Sequence, residues 1–500
     1  MLAVFFNFIN STYITMKPVF IYLLLAVCIN ATAQVHIFNK MYNPSGFSSL
    51  GPACFSLTDG YIFAGVCGPP VGTEQGFYIR KTDFAGETQW FQTFEYGNHT
   101  IYAIGGGILI EAHSGTYMLV GSRTYESGLN QDIVMINFLA DGTHLWTKLI
   151  EKPDTIEYPY HITPTQDGGY IMCGIQRSFT TSNRFYVLKT DAYGNKEWDR
   201  VLQSNKKGVG ANIIEAYDGG YITAGYVVNS ATLADMYIAK LNEQGFVIWE
   251  NNYNSTPEND NGAYITKWKG DKYLLTASIR IDDNINMYVA QLSMEGVEEW
   301  YKVLDANGTY IQARPVIRDM GFTTSTYSFT PNGSYYSQVI RFDENGNIDW
   351  LSTIPGLNPN DDWYLKDIAA TADGGYILSG FNYSEQSSWV VKTDSMGYTC
   401  SYIGCDSTAV IDNVNTPSRY EQQMHIAPNP AQNQATVYLP AAAAAATGRQ
   451  LLLYNASGQL VRQAALPSYV SQYTFSVAGL PAGIYFCRVG ANMQKLVVTW

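Results

Sequence analysis

The 500-residue chain is predicted to have an all-β fold, and three observations lead to this prediction. A short segment, Asp-Gly-Gly-Tyr-Ile in its clearest form, recurs along most of the chain. The residues between its copies form short apolar runs separated by turn residues, as strands joined by hairpins do. Aromatic residues make up 14% of the chain and charged residues only 15%, which excludes a disordered chain, a coiled coil and a basic nucleic-acid binder.

The recurring segment marks a repeat of about 50 residues. Its clearest copies are residues 167–171, 218–222 and 373–377, and degenerate copies begin at Asp59, Gly115, Asp271 and Met320. Every copy but the last is followed by a second marker, a Gly and then a Trp four residues later: Gly86/Trp90, Gly142/Trp146, Gly194/Trp198, Gly245/Trp249, Gly296/Trp300 and Gly346/Trp350. The sequence therefore contains seven copies.

Each copy has the pattern of four short strands. In the fourth copy these are residues 212–216, 221–226, 236–241 and 247–253, with the Asp-Gly-Gly turn between the first two. An Asp or Asn opens the turn before the Trp marker and a Gly closes it, which is the composition of a type I turn. A four-stranded antiparallel sheet that recurs seven times predicts a seven-bladed β-propeller over residues 34–405.

The last blade lacks its fourth strand at the end of the repeats, because Ser401 stands where the Trp marker is expected. Residues 38–42, Phe-Asn-Lys-Met-Tyr, match the fourth strand of other copies, such as residues 90–94. The N-terminal segment is therefore predicted to supply the outer strand of the last blade. This would fasten the ring and remove an open seam between the chain ends.

A secretory signal is predicted for residues 1–33. A lysine precedes an apolar run at residues 19–28, and small residues follow, with cleavage expected after Ala33. Residues 1–15 are interpreted as an over-extended start. A lipoprotein signal is the weaker alternative, because such a signal needs a small residue where Val27 stands.

Six cysteines remain after cleavage, and an exported chain permits disulfides. Two local pairings are predicted: Cys54 with Cys67, which flank a turn at nearly equal distances, and Cys400 with Cys405, which would close a small loop. Sequence alone leaves the choice among pairings open. Neither a CxxC pair nor a His cluster accompanies the cysteines, so no metal and no cofactor is predicted.

The C-terminal part differs from the rest of the chain. The whole chain has 43 acidic against 30 basic residues, but residues 424–500 contain neither Asp nor Glu. The polar, irregular segment 406–423 is interpreted as a linker. Beyond it, short apolar strands with Gly turns predict a small β-sandwich.

Four motifs of this tail occur in a fixed order: a Pro-Asn-Pro start, an Asn-x-x-Gly hairpin, a Leu-Pro-x-Gly-Ile-Tyr strand and a basic residue before a last apolar strand. Together they resemble the sorting domain read by the type IX secretion system of Gram-negative bacteria. The resemblance implies passage through the outer membrane, removal of the tail and often attachment to surface polysaccharide. An Ig-like accessory domain is the alternative. The sorting motif comprises Pro428, Asn429, Pro430, Gly458, Pro481, Gly483, Tyr485 and Lys495.

Residues 35–400 resemble the DGGY-type propellers of exported bacterial proteins. This resemblance supports the fold and implies little about activity, because propellers host many functions. Ala427 departs from the sorting family, which usually has an aromatic residue before the Pro-Asn-Pro motif.

Propeller geometry places a binding site on the face formed by the loops that enter strand one and those that join strands two and three. Aromatic residues near acids on this face suit stacking on sugars or capture of basic peptides. The alternative is that these aromatic residues fill the central channel and pack between blades. The predicted ligand-binding residues are Tyr102, Tyr160, Tyr264, Tyr310, Asp361, Asp362, Trp363 and Tyr364.

Three functions stay open. The favoured one is a binding or adhesion module for glycans or proteins at the cell surface, because export signals are present and no catalytic motif such as GxSxG or HExxH occurs. The second is a secreted enzyme that degrades glycans or peptides with Glu258, Asp260, Asp361 or Asp362 as acid and base. The third is a structural surface component without a ligand.

The sequence also predicts the partners. The tail resemblance implies an interaction with the type IX secretion machinery, and we expect a monomer. Nucleic acid is not expected as a partner, because an acidic body repels phosphate. No stretch is long and apolar enough for a transmembrane segment.

Overall fold

The computed structural model describes most of the chain in separate segments. The signal segment 1–33 lies outside the described residues, and so does most of the linker. Among the described residues the regular structure is strand, apart from one 3₁₀ turn at His113–Gly115. The described residues are 34–42, 48–68, 76–95, 101–102, 108–124, 131–178, 180–228, 234–253, 261–281, 284–304, 310–311, 313–329, 335–354, 363–382, 387–400, 405–410, 425–427, 431–439, 450–455, 459–466, 472–490 and 492–499.

The described residues between 34 and 410, here called the repeat region, form antiparallel sheets. We name these first to seventh along the chain, although the second and third are joined into one sheet. Strands within a sheet are numbered one to four in the order given, and strand one of the second and sixth sheets is in two pieces. The first sheet is Ser48–Leu57, Gly60–Gly68, Gly76–Thr82 and Thr88–Glu95; the second is Ile101–Tyr102 with Leu109–Glu111, Thr116–Thr124, Gln131–Leu139 and His144–Ile150; the third is Ile156–Pro164, Tyr170–Arg177, Arg184–Thr190 and Lys196–Leu202. The fourth is Gly208–Glu215, Tyr221–Val228, Ala234–Leu241 and Val247–Tyr253; the fifth is Asn261–Trp268, Lys272–Ile281, Asn284–Leu292 and Glu298–Leu304; the sixth is Tyr310–Ile311 with Val316–Arg318, Gly321–Phe329, Tyr335–Phe342 and Ile348–Ile354; the seventh is Trp363–Ala370, Tyr376–Asn382, Ser387–Thr393, Gln34–Tyr42 and, as a fifth strand, Cys405–Val410.

Two of these sheets are joined by a single parallel contact. Ile156 at the start of the third sheet pairs with Gln131 of the second sheet, so the two sheets are continuous over nine strands. All other strand pairs within the two sheets are antiparallel. The four-strand pattern read from the sequence is therefore present in both.

The Asp-Gly-Gly-Tyr hairpins form because their glycines meet two backbone requirements. Gly168 has a φ of 90°, in the left-handed region that favours glycine. At Gly169 a Cβ would lie 2.1 Å from the carbonyl oxygen of Thr190, so a side chain there would push strands two and three apart. The Asp167 carboxylate accepts the Gly169 N–H at 2.9 Å and holds the turn.

The N-terminal strand Gln34–Tyr42 is paired on both of its edges. On one side Phe38 lies opposite Lys392 and Tyr42 opposite Ser388, which is the strand pairing that the sequence predicts. On the other side Gln34 lies opposite Val410. Cys405–Val410 therefore belongs to the seventh sheet, although its residues from 406 onward are assigned to the linker from sequence. Its pairing covers an edge that the N-terminal strand would otherwise expose.

The Gly and Trp markers of the sequence meet between neighbouring sheets. At Gly245 a Cβ would lie 2.6 Å from the ring of Trp198, which belongs to strand four of the preceding sheet. A bulkier residue at this turn would displace the indole. The same contact recurs as Trp90 on Gly142, Trp249 on Gly296, Trp300 on Gly346 and Trp350 on Gly397, with Lys148 on Gly194 in place of a Trp and Phe38 with Tyr42 on Gly86.

The tail folds as two sheets around a separate core. One sheet contains His425–Ala427, Gln434–Tyr438 and Gln472–Ser476, and the other contains Gln450–Asn455, Leu460–Ala465, Gly483–Val489 and Asn492–Val498. Val437, Phe475, Leu453 and Leu496 belong to one buried cluster to which both sheets contribute. This is the packing expected of a small β-sandwich.

Within the described segments, no helix has the length and apolar character needed to cross a membrane.

Candidate functional site

The first strands of the sheets carry a recurring β-bulge. The register shifts between Pro159 and His161 in the third sheet, and between Leu365 and Asp367 in the seventh. Similar shifts occur in the first, fourth and fifth sheets. A bulge leaves one residue unpaired and changes the direction of the side chains beside it. In the third and seventh sheets the unpaired residues are Tyr160 and Lys366.

The residue after each bulge lies at the same level of its sheet. The pairs at this level are Ala53 with Ala64, His161 with Cys173, Asn212 with Ala224, Tyr264 with Thr276 and Asp367 with Ser379. In the sixth sheet Val316 pairs with Thr323, so Arg314, two residues earlier, reaches the same level. Side chains of different chemistry thus occupy one equivalent position around the repeat region.

Four of these side chains, from four different sheets, interact electrostatically in two pairs, Arg314 with His161 and Asp367 with Tyr264. We call His161, Tyr264, Arg314 and Asp367 the central cluster. Burial, together with the charge of Arg314, lowers the pKa of His161 to about 3, so this imidazole is neutral at physiological pH. Burial and the Asp367 carboxylate raise the pKa of Tyr264. Charged and polar side chains on the first strands of different sheets therefore act on one another.

Two polar residues at this level also tie neighbouring sheets together. The Asn212 side-chain oxygen accepts the Ile265 N–H at 2.8 Å, and its amide donates to His161 Nε2 at 3.3 Å. An Asp367 oxygen accepts the Cys54 N–H at 3.2 Å. These buried bonds fix the sheets at the centre, since a buried donor without a partner would be costly.

Arg314 differs from the rest of the central cluster. It is half-buried, and no hydrogen bond or ion pair joins its guanidinium to the part of the chain that the structure describes. Its charge is nevertheless close enough to lower the pKa of His161 and to oppose the raised pKa of the Cys54 thiol, which results mainly from burial. It is thus a cation near the centre with donors available.

An aromatic rim lies beside the central cluster, where first strands begin and second strands end; we use this name for Tyr327, Tyr364, Lys366 and Phe381. The Lys366 ammonium lies 5.5 Å from the ring centre of Tyr364 and 5.9 Å from those of Tyr327 and Phe381. Burial lowers the pKa of Lys366 to about 8. Cation–π contacts of this kind hold the ammonium over the rings.

The structure brings some of the predicted ligand-binding residues to this region. Tyr364 belongs to the aromatic rim, and Tyr160 is half-buried close enough to Tyr264 to raise its pKa. Burial raises the pKa of Tyr160 itself to about 12. Trp363 is 2% exposed and packs edge-on against Trp389, so it contributes to the core between strands.

Other predicted residues fall outside what the structure describes. Asp361 and Asp362 lie outside the described residues, as do the acids Glu258 and Asp260 of the enzyme hypothesis. The backbones of Tyr102 and Tyr310 are in short strands, but their side chains lie outside the described part.

The strand register of the first sheet bears on one of the two predicted disulfides, Cys54 with Cys67. Cys54 lies opposite Phe63, whereas Cys67 lies opposite Ser49. The two cysteines are therefore not paired across the hairpin. Cys54 is a buried free thiol in the structure. Cys400 is also buried, with its Sγ 3.5 Å from the Ile37 carbonyl oxygen, and the side chain of Cys405 lies outside the described residues.

A set of buried lysines on strand three lies outside the sequence prediction. Lys392 is fully buried and binds the carboxylate of Asp373, in the turn between strands one and two, at 2.8 Å. The signal was present in the sequence, because these lysines stand two residues before the Asp or Asn that opens the next turn. The pairs are Lys81 with Asp59, Lys189 with Asp167, Lys240 with Asp218 and Lys392 with Asp373.

These pairs predict a loss of stability in acid. Burial alone would raise the pKa of Asp167, but hydrogen bonds from Lys189, Thr165 and the Gly169 N–H lower it to about 2. A carboxyl with a folded pKa below its unfolded value of about 3.9 stabilises the fold above that value, and this contribution disappears as the pH falls further. We expect the melting temperature to fall between about pH 4 and pH 2. Calorimetry should show a shallower fall for Asp167→Asn, and equal slopes for the two proteins would contradict the assignment.

The C-terminal strands place three residues of the predicted sorting motif, Gly483, Tyr485 and Lys495, on one hairpin. Tyr485 is buried, and its hydroxyl donates to the Pro481 carbonyl oxygen at 2.7 Å. Gly483 pairs with Val498, and Lys495 pairs with Phe486. The Lys495 side chain is exposed. Pro428, Asn429, Pro430 and Gly458 lie outside the described residues.

A profile of the family described as secretion system C-terminal sorting domain matches residues 425–499. These residues are a secretion system C-terminal sorting domain. The protein is therefore exported by the type IX secretion system, either to the cell surface or into the surroundings. The match does not extend to the repeat region.

Solved structures with similarity to the chain include the β-propeller domain of the Trilobed protease from Pyrococcus furiosus, with 10% identity, a TM-score of 0.42, and coverage of 76% of this chain and 98% of that chain. A protein of unknown function from Dyadobacter fermentans has 12% identity and a TM-score of 0.41 over 61% of this chain and 96% of that chain. Another protein of unknown function, from Bacteroides caccae, has 13% identity and a TM-score of 0.35, and the match covers 59% of this chain and 94% of that chain. No curated protein matches the sequence.

Proposed function

We propose that the seven sheets are the blades of a β-propeller and that the protein is a binding or adhesion module for glycans or proteins outside the cell. The interlocking side chains support a ring of blades. Strand four of each sheet contacts the turn glycine of the next, and Phe38 and Tyr42 of the seventh sheet make this contact with Gly86 of the first. The series of contacts thus returns to its beginning.

Further contacts between the seventh and first sheets support closure through the N-terminal strand. Phe38 and Ile377 of the seventh sheet share a buried cluster with Phe63 of the first. The Cys54 N–H of the first sheet donates to Asp367 of the seventh. A signal peptide at 1–33, a propeller from residue 34 through strand Cys405–Val410, a linker and the sorting domain complete the proposed organisation.

The observation that carries the binding function is the convergence of the central cluster and the aromatic rim. Side chains at one level of four sheets act on one another, and half-buried aromatic rings lie nearer the start of the first strands. A concave, largely preformed site with a few polar groups and aromatic walls is typical of ligand binding. Export to the cell surface or beyond would present this site to external glycans and proteins.

Binding to an array of polysaccharides and matrix proteins tests this function. The exported chain without its signal should bind at least one probe, and Tyr364→Ala should weaken that binding about tenfold, as loss of an aromatic anchor does. Tyr301→Ala is the matched control, because Tyr301 is 57% exposed on strand four of the fifth sheet. Melting curves establish that each variant is folded. Absence of binding to every probe, or equal binding by Tyr364→Ala and the original protein, would support a structural component instead.

A further inference from the structure

The central cluster and the aromatic rim together have a cationic character that the chain as a whole lacks. The protein has a net charge of −13, yet Arg314 and Lys366 both lie at this site. Asp367 is the acid of the central cluster, and its oxygens accept the N–H groups of Cys54 at 3.2 Å and Ile368 at 3.0 Å. Two backbone donors thus bind this carboxylate.

Arg314 has the properties of a ligand-binding cation. No carboxylate of the described residues forms an ion pair with the guanidinium. A half-buried charge without a partner is unfavourable, and an anionic ligand would remove this cost. The planar guanidinium matches the two oxygens of a carboxylate in a bidentate arrangement.

Half-buried rings at the level of Arg314 or nearer the start of the first strands favour a sugar as the bearer of that carboxylate. Tyr160, Tyr264, Tyr327 and Tyr364 are all half-buried, so each exposes part of its surface. Aromatic faces with hydroxyl groups present an apolar surface and a polar edge, which suits the C–H face and hydroxyls of a pyranose. A single strong cation with several rings fits a sugar ring with one carboxylate better than it fits a uniformly acidic peptide.

We propose that this site binds acidic glycans, with the carboxylate of a uronic acid held by Arg314 and the sugar ring against the tyrosines of the rim. The proposal rests on the binding function above and adds the chemical class of the ligand. Lys366 adds a second positive charge at the rim, where its ammonium lies over the rings, and this charge also favours an anionic ligand.

Calorimetric titration with oligogalacturonate, neutral galacto-oligosaccharide and polyglutamate tests the proposal. Oligogalacturonate should bind at least about tenfold more tightly than the neutral sugar. Arg314→Gln should lose about tenfold or more of that affinity, and Arg314→Lys should lose less. Lys302→Gln is the control, because Lys302 lies on strand four of the fifth sheet and binds Asn347 away from the site. If Arg314→Gln does not fold, Lys366→Gln and the salt dependence of the original protein make the same test.

The outcomes separate this proposal from the broader function. Equal affinity for the neutral and acidic sugars, or full affinity in the folded Arg314→Gln variant, would overturn the acidic-glycan assignment and leave the binding function in place. Tighter binding of polyglutamate than of oligogalacturonate would also overturn it, since the ligand would then be a peptide. If the protein binds neither these probes nor any probe of the array, both proposals fail.

Discussion

A chain that lacks residues 34–43 is expected to lose most of the stability of its repeat region. The strand Gln34–Tyr42 pairs with strand three of the seventh sheet on one side and with Cys405–Val410 on the other. Phe38 and Asn39 are fully buried, and the Trp389 indole donates to Asn39 Oδ1 at 2.7 Å. The deletion would therefore expose the edge of the seventh sheet and leave the buried indole without its acceptor.

The expected loss is large in comparison with the stability of a domain. Burial of an aromatic side chain contributes about 1.5–3 kcal/mol, and the strand buries Phe38 and Tyr42 besides its hydrogen bonds. A total above about 4 kcal/mol is a large part of the usual 5–15 kcal/mol. Scanning calorimetry should show a decrease in melting temperature of at least about 10 °C.

A truncation at the opposite end is the control for this experiment. A chain that ends at residue 410 removes the linker and the sorting domain but keeps both edges of the N-terminal strand paired. Its repeat region should melt close to the original temperature. Addition of a peptide of residues 34–43 should partly restore the deleted chain. A deleted chain that melts like the original would show that the N-terminal strand does not fasten the fold.

Sequence reasoning identified the elements whose signals are local. The turn glycines can be recognised from sequence because they recur at fixed positions. At Gly169 and its equivalents the backbone of strand three lies too close for a side chain. The Trp marker recurs because its ring packs on the turn glycine of the next sheet, as Trp198 does on Gly245. The sorting domain was likewise predictable, since its motifs follow one another in a short stretch of chain.

The centre of the repeat region could not be predicted in the same way. His161, Tyr264, Arg314 and Asp367 are far apart in sequence and share no residue type, so no pattern links them. Their common level depends on a bulge that shifts the register of each first strand, and on long-range packing that a single repeat does not show. The strand Cys405–Val410 was missed for a related reason, because its partner is the distant N-terminal strand.

Replacement of Asp373 by alanine is expected to destabilise the seventh sheet severely, because it leaves a buried cation unpaired. The Lys392 side chain is fully buried, whereas the Asp373 side chain is 26% exposed. Burial lowers the pKa of Lys392, and the Asp373 carboxylate opposes that effect. Asp373 also accepts the Gly375 N–H at 3.1 Å, so its loss loosens the hairpin as well. Removal of one partner of a buried ion pair costs about 3–5 kcal/mol, and the partial exposure of Asp373 places the expected loss near 3 kcal/mol.

A double variant separates the unpaired charge from the loss of the turn bond. In Asp373→Ala with Lys392→Met, no charge is left in the core and the methionine fills a similar volume, so much of the lost stability should return. Glu344→Ala is the matched exposed control: its partner Lys269 is 47% exposed, and loss of such a surface pair should cost less than about 1 kcal/mol. Urea denaturation measures all three variants. If Asp373→Ala were as mild as Glu344→Ala, or if Lys392→Met gave no recovery, the buried ammonium would not be what makes the turn aspartate necessary.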